Sequence, residues 1–164
     1  MTTYRCTTCG ELHNDLPDVG ADKPDQWWGV PEEERDERIK LTPDTCIIDD
    51  NYFIRGVIEI PLLNSDERFG FGVWVSQKKE NFRTYLNNRN SSEIGPFFGW
   101  LCTHLAYYEE DTFFLKTKAH FRGNGLRPYI ELEPTEHPLA VAQRQGISLD
   151  TAWEIVHFYL DEEL

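Results

Sequence analysis

Apolar and polar positions alternate most clearly through the middle of the chain, and the alternation predicts strands. Over residues 52–60, Tyr52, Ile54, Ile58 and Ile60 share one face with Gly56 among them, while Arg55 and Glu59 share the other. Pro61 closes that run, and Asn64-Ser65-Asp66-Glu67 is a turn cluster. Residues 69–75 repeat the pattern: Phe69, Phe71, Val73 and Val75 form one face, and Gly70 and Gly72 flank Trp74 on the other, where backbone can pass close to the indole. Cys46-Ile47-Ile48 makes a shorter apolar strand, and residues 97–103 make another with Trp100 and Cys102 on a common face. Alternation is most regular over residues 112–122, and Gly123-Asn124-Gly125 turns that strand back into residues 127–133. The register of such a hairpin places Lys118 opposite Glu131, Lys116 opposite Glu133 and His120 opposite Tyr129, with cross-strand ion pairs expected at the two lysines.

Helical spacing appears in three places. Phe82, Tyr85, Leu86 and Arg89 form a stripe within residues 77–89. A short helix starts near Pro138 and stops at Gly146. A longer one starts near Ser148, its cap, with Leu149, Ala152, Trp153, Val156 and Leu160 on the apolar side. Residues 14–44 are rich in Pro, Asp and Glu and are expected to wrap the surface, pinned by Trp27 and Trp28. Within them Pro31 opens a helical turn in which Glu34 and Arg38 stand at the favourable i,i+4 spacing. The expected architecture is a single α+β domain, mainly an antiparallel sheet with flanking helices on one side. Residues 1–44 would form a zinc-knuckle-like and wrapping segment, 45–134 the sheet and 138–161 the C-terminal helices.

Composition narrows the function classes. With 40% hydrophobic and 27% charged residues in 164, the chain is globular rather than disordered or fibrous. Its net charge of −13 disfavours nucleic acid as a partner. The acid sits at the ends: residues 1–50 carry net −8 and residues 101–164 net −6, around a nearly neutral middle. Those flanks read as solvated surface or as a docking face for a basic protein partner. No run reaches the roughly 18–20 apolar residues of a membrane span, so no membrane partner is expected. The first residues lack the apolar core of a signal peptide, which makes the cytoplasm the expected address.

Cys6-x-x-Cys9-Gly10-x-x-His13 is the constellation with chemical content. Two thiolates two residues apart can hold one ion if the backbone turns tightly, and Gly10 permits the positive φ that such a turn needs. His13 can reach the same ion. A structural zinc site takes four protein ligands, and Cys46 or Cys102 could supply the fourth: Cys46 starts a strand after a loop, and Cys102 reads more as a buried filler. A redox pair is the alternative for Cys6 and Cys9, but no helix is promised after them. His157, near Glu154 and Asp161, reads as a surface histidine.

Lys116, Lys118, His120 and Arg122 line one face of the predicted 112–122 strand. They read either as an anion-binding face or as members of cross-strand ion pairs. His137, between Glu136 and Pro138, could be catalytic or could cap the helix that follows.

The chain resembles a bacterial family known as domain of unknown function 2199. The resemblance rests on the Cys6-to-His13 motif, Cys46-Ile47-Ile48-Asp49, the run of residues 53–61, and Gly72-Val73-Trp74-Val75-Ser76. It continues in Phe98-Gly99-Trp100-Leu101, Leu115-Lys116-Thr117, residues 127–140 and Gly146-Ile147. The chain departs from the family over residues 105–111, where the family is similar to a loop containing Pro and Gly. The resemblance implies one full-length domain and the knuckle, and it brings no reaction. The expected function is therefore a zinc-stabilised cytoplasmic protein that binds a partner through an acidic surface. The alternative is an enzyme using a sheet-face pocket of His120, His137, Glu131 and the basic strand for an anionic substrate.

Overall fold

The alternating runs pair as strands of one sheet in the computed structural model, which describes residues 4–13 and 15–161. In chain order, β1 (Tyr4–Arg5) and β2 (Leu12–His13) form a small separate hairpin, followed by β3 (Val19–Gly20) and α1 (Asp25–Trp28). A 3-10 turn (Glu32–Glu34), α2 (Arg35–Arg38) and β4 (Ile39–Leu41) lead into the main strands. These are β5 (Thr45–Ile48), β6 (Asn51–Pro61) and β7 (Arg68–Gln77), then α3 (Lys79–Asn87), β8 (Phe97–Trp100), β9 (Lys116–His120) and β10 (Tyr129–Leu132). Two helices finish the chain: α4 (Pro138–Gln145) and α5 (Leu149–Asp161).

The eight-stranded sheet runs β3-β7-β6-β10-β9-β8, with β5 also beside β6 and β4 beyond it. Most pairings are antiparallel; β10 against β6 and β3 against β7 are parallel. The long β6 serves two neighbours on one edge: β5 pairs its first residues, and β10 meets it at Val57. Gly56 makes the second junction possible, because a Cβ there would stand 2.5 Å from Cγ1 of Ile130 on β10. Just beyond β8, Leu101 bridges to Val75 of β7, so the sheet curls back on itself. No helix among the described residues is long and apolar enough to cross a membrane.

The even-numbered face of β6 and the phenylalanine–valine face of β7 pack with α3, α4 and α5 into the main core. Ile54, Ile58, Phe69, Phe71, Ile130 and Ile155 are all fully buried there; each such side chain contributes about 1.5–3 kcal/mol. Helix ends form as the sequence requires: Gly146, at φ 85°, ends α4, and Ser148 Oγ accepts from Thr151 N–H at 3.1 Å at the start of α5. On the opposite face, Trp74, Phe53, Ile48, Cys46 and Cys102 make a smaller cluster under the wrapping segment.

Three expectations change. The 112–122 strand shortens to Lys116–His120, because Asp111 Oδ1 accepts from Phe113 N–H at 2.9 Å and Phe114 sits at φ 66°. That local turn outcompetes strand pairing for the preceding residues. Leu86, placed on the α3 stripe, is exposed, and the buried pair is Phe82 and Tyr85. Of the two tryptophans, only Trp27 packs against the second cluster, with the Arg35 guanidinium 3.8 Å above its ring; Trp28 is exposed. A single helical turn directs only one of two adjacent side chains inward.

Asp44 ties three connecting segments together, its own loop and those just after α3 and just before β10: Arg127 Nε donates to Oδ1 at 2.9 Å and Arg89 Nη2 to Oδ2 at 3.2 Å. Burial works to raise its pKa, but the two guanidiniums outweigh burial and hold the carboxyl below its ordinary value. A depressed folded pKa contributes stability that is present above the ordinary carboxylate value and lost as pH falls through the folded one. Asp44→Asn is expected to cost about 1 kcal/mol or less at pH 7, since the group is partly exposed. Thermal melts should show the gap from wild type closing in acid; a gap constant from pH 7 to pH 3 would dismiss the pairing as a source of stability.

Candidate metal centre

The N-terminal hairpin is built around its turn. Tyr4 pairs with His13 and Arg5 with Leu12. Beyond the strands, Cys6 N–H donates to Glu11 O and Gly10 N–H to Cys6 O, both at 2.8 Å. Gly10 takes φ 78°, the left-handed conformation that a side chain there would strain. Arg5 Nη1 donates to Gly10 O at 2.8 Å and braces the same turn. The result folds Cys9 back over the second strand, with Sγ 3.2 Å from His13 Nε2.

Helix α5 completes the centre from the far end of the chain. Trp153 stacks on the His13 imidazole at 3.8 Å and an interplanar angle of 13°. One turn later, His157 brings Nε2 to 3.5 Å from Cys6 Sγ. Thr7 Oγ1 donates to Asp150 Oδ1 at 3.4 Å, joining the turn to the first residues of α5. The donor atoms of Cys6, Cys9, His13 and His157 all lie within 4.8 Å of one another, close enough to bind a metal ion. Cys6 is buried, Cys9 is exposed, and the two histidines are half-buried.

The two thiols differ electrostatically. Burial raises the Cys6 pKa, but the backbone N–H groups of Cys9 and Thr8, then His157 and the Cys9 thiol, outweigh it and hold it down at about 6. For Cys9, the Glu11 backbone N–H acts to lower the pKa, yet burial and the neighbouring Cys6 sulfur turn the balance upward. The pair thus carries one negative charge easily and a second only against repulsion. A cation at the centre would remove that repulsion and hold both as thiolates.

Cys6, Cys9 and His13 come together as the spacing predicts. Cys46, expected as the fourth ligand, does not join them. It is fully buried on β5 opposite Phe53, in the second apolar cluster, whereas Cys6 packs in the main one. Burial pushes the Cys46 thiol up to about 11, as it does Cys102, where Gln26 Nε2 also donates to the sulfur at 3.3 Å. Both behave as apolar fillers. The fourth donor is His157, which the sequence reading placed at the surface. Its one signal is position: it stands four residues after Trp153 and so shares that residue's side of α5.

The basic strand keeps its expected register, with Glu131 opposite Lys118 and Tyr129 opposite His120. The expected ion pairs do not follow from it. Glu131 instead takes His120 Nε2 at 3.1 Å, and Arg122 Nη1 donates to Glu59 at 2.7 Å. Lys116 and Lys118 line a cavity of about 290 Å³ together with Glu131 and Glu133. His137 caps α4, its Nδ1 accepting from Leu139 N–H at 3.0 Å. Neither His120 nor His137 lines that cavity.

The chain belongs to the family described as an uncharacterized protein conserved in bacteria (DUF2199), whose model matches residues 5–147. That span contains Cys6, Cys9 and His13 and ends before α5, so His157 stands outside it. Comparison with curated proteins and with solved structures gave no match.

Proposed function

We propose that this member of the family is a zinc-stabilised binding protein in which the ion clasps the N-terminal hairpin to α5. The observation that carries the reading is the convergence of two sulfurs and two imidazole nitrogens from opposite ends of the chain. Zinc–sulfur bonds of about 2.3 Å and zinc–nitrogen bonds of about 2.0–2.1 Å imply tetrahedral edges of about 3.3–3.8 Å. The sulfur–nitrogen separation of 3.5 Å falls within that range, and that of 3.2 Å lies just below it. Four protein ligands leave no open position for an activated water, which favours a structural ion over a catalytic one. Ion and fold are then coupled, because the unfolded chain cannot hold the four donors together.

The binding role rests on charge. Glu32, Glu33, Asp36 and Glu37 lie exposed on the wrapping segment of a chain with net charge −13, a field suited to a basic protein partner. Four free thiols accord with a reducing, cytoplasmic setting. Protein purified without chelator is expected to carry about one zinc per chain. Stripping the zinc should lower the melting temperature, and restoring zinc but not magnesium should recover it. Metal-free protein with an unchanged melt on zinc addition would sink the structural role. A partner recovered by cross-linking should be lost when the four exposed acids are reversed to lysine; undiminished capture would refute the acidic docking face.

A further inference from the structure

A second site lies beside the smaller apolar cluster, between α1 and the start of α3. It is a cavity of about 700 Å³ whose walls include Trp100, Phe114, Gln26, Gln77, Lys78 and Lys79, a volume within the range of small-molecule sites. Its position makes it independent of the metal centre.

Four observations meet there. Trp100 and Phe114 are 40% and 56% exposed, with ring centroids 6.3 Å apart at an interplanar angle of 80°, so each offers a face to a planar guest. Phe114 is held at φ 66°, a conformation costly for a bulky residue, with its N–H donating to Leu101 O at 2.7 Å. The Gln77 amide is 7% exposed, and its nitrogen donates to the carbonyls of Ser76 at 2.8 Å and Phe98 at 3.2 Å. Those two contacts fix the amide's orientation, since its oxygen could not face two carbonyls. They leave Oε1 buried with no protein partner, and Gln26 Oε1 is orphaned in the same way. A buried acceptor without a donor is costly, so a donor is the missing element. Finally, α3 begins at this cavity with Lys78 as its N-cap residue and no side-chain cap, so its first N–H groups and two ammonium groups favour an anion.

We infer that this cavity binds a planar heteroaromatic molecule carrying ring N–H donors and a single anionic group. The ring stacks on the exposed face of Trp100 with Phe114 against its edge, the N–H groups reach the orphaned glutamine oxygens through small shifts of the wall, and the anion meets Lys78, Lys79 and the start of α3. Asp50, also on the wall, disfavours further negative charge on the ligand.

The test is a ligand-observed NMR screen of the full chain against indole, benzimidazole and purine compounds, each as the monoanionic acid and as the neutral parent. Indole-3-acetate is the reference probe. Ring acids should bind with dissociation constants between micromolar and millimolar and quench tryptophan emission. Trp100→Ala should weaken them about tenfold or more. Lys78→Ala with Lys79→Ala should erase the preference for acids over neutral parents. Trp28→Ala, an exposed ring outside this cavity, should change nothing. Gln77→Met is read beside Trp100→Ala, whose exposed side chain can be removed without touching the core. No binding by any member at millimolar concentration, or equal binding by Trp100→Ala, overturns the site. Equal affinity for acids and neutral parents overturns the anionic class.

Discussion

Replacing His157 with alanine is expected to weaken the hold on the metal, so that a mild chelator strips it, and to lower the melting temperature of the metal-loaded protein by roughly 10 °C. The size follows from two scales. Structural zinc in small domains is worth about 10–16 kcal/mol, so one ligand of four stands for about 3–4 kcal/mol. In a chain of this length each kcal/mol moves the midpoint by about 2–4 °C. His157 is the informative ligand because Cys6, Cys9 and His13 share one hairpin, whereas His157 joins it to α5. Losing it should therefore also loosen the Trp153 stack on His13 and shift tryptophan emission to the red. His157→Cys should retain metal, since a thiolate can take the vacated corner. His137→Ala, which removes a helix cap and the ring's contacts with the carbonyls of Glu110 and Asp111, should keep the full metal content at a cost of about 1 kcal/mol. A His157→Ala protein that keeps its metal against that chelator would return this residue to the solvated surface.

Phe71→Ala should be the most costly single truncation in the core, at about 3–5 kcal/mol. The ring is fully buried on β7, 5.0 Å from Phe69, and its other aromatic neighbours come from distant parts of the chain. Tyr108 lies 6.2 Å away in a loop and Tyr159 lies 6.4 Å away on α5. Removing it opens a void between sheet and helix that rigid neighbours cannot fill. Urea unfolding is the measurement, with the midpoint falling and the slope unchanged. Leu126→Ala, at an exposed loop position, should stay within about 0.5 kcal/mol. A Phe71→Ala cost below about 1 kcal/mol would mean that the sheet and α5 do not share one tightly packed core.

Much of this was legible because it is local or periodic. The faces of β6 and β7 follow from a two-residue period, and one buried side is enough to specify them. Gly146 and Ser148 mark helix ends through chemistry confined to a few residues. The hairpin register around Gly123-Asn124-Gly125 follows from turn length, and His120 does face Tyr129. The ion pairs inferred from that register failed for a different reason. Register fixes backbone partners, whereas long side chains choose among diagonal neighbours, and Glu131 chose His120.

The metal centre divides along the same line. Three of its donors stand within eight residues, and a tight turn at Gly10 suffices to gather them, so their pattern showed in the residues alone. The fourth came from 151 positions away. No local rule ranks Cys46, Cys102 and His157, because the choice depends on which face of the sheet each occupies. Packing decided it: the strand pairing of β5 turned Cys46 into the far apolar cluster, and the docking of α5 laid Trp153 on His13 and carried His157 to Cys6. Periodicity reports which side of an element is buried, and only the assembled sheet and helices report what that side meets.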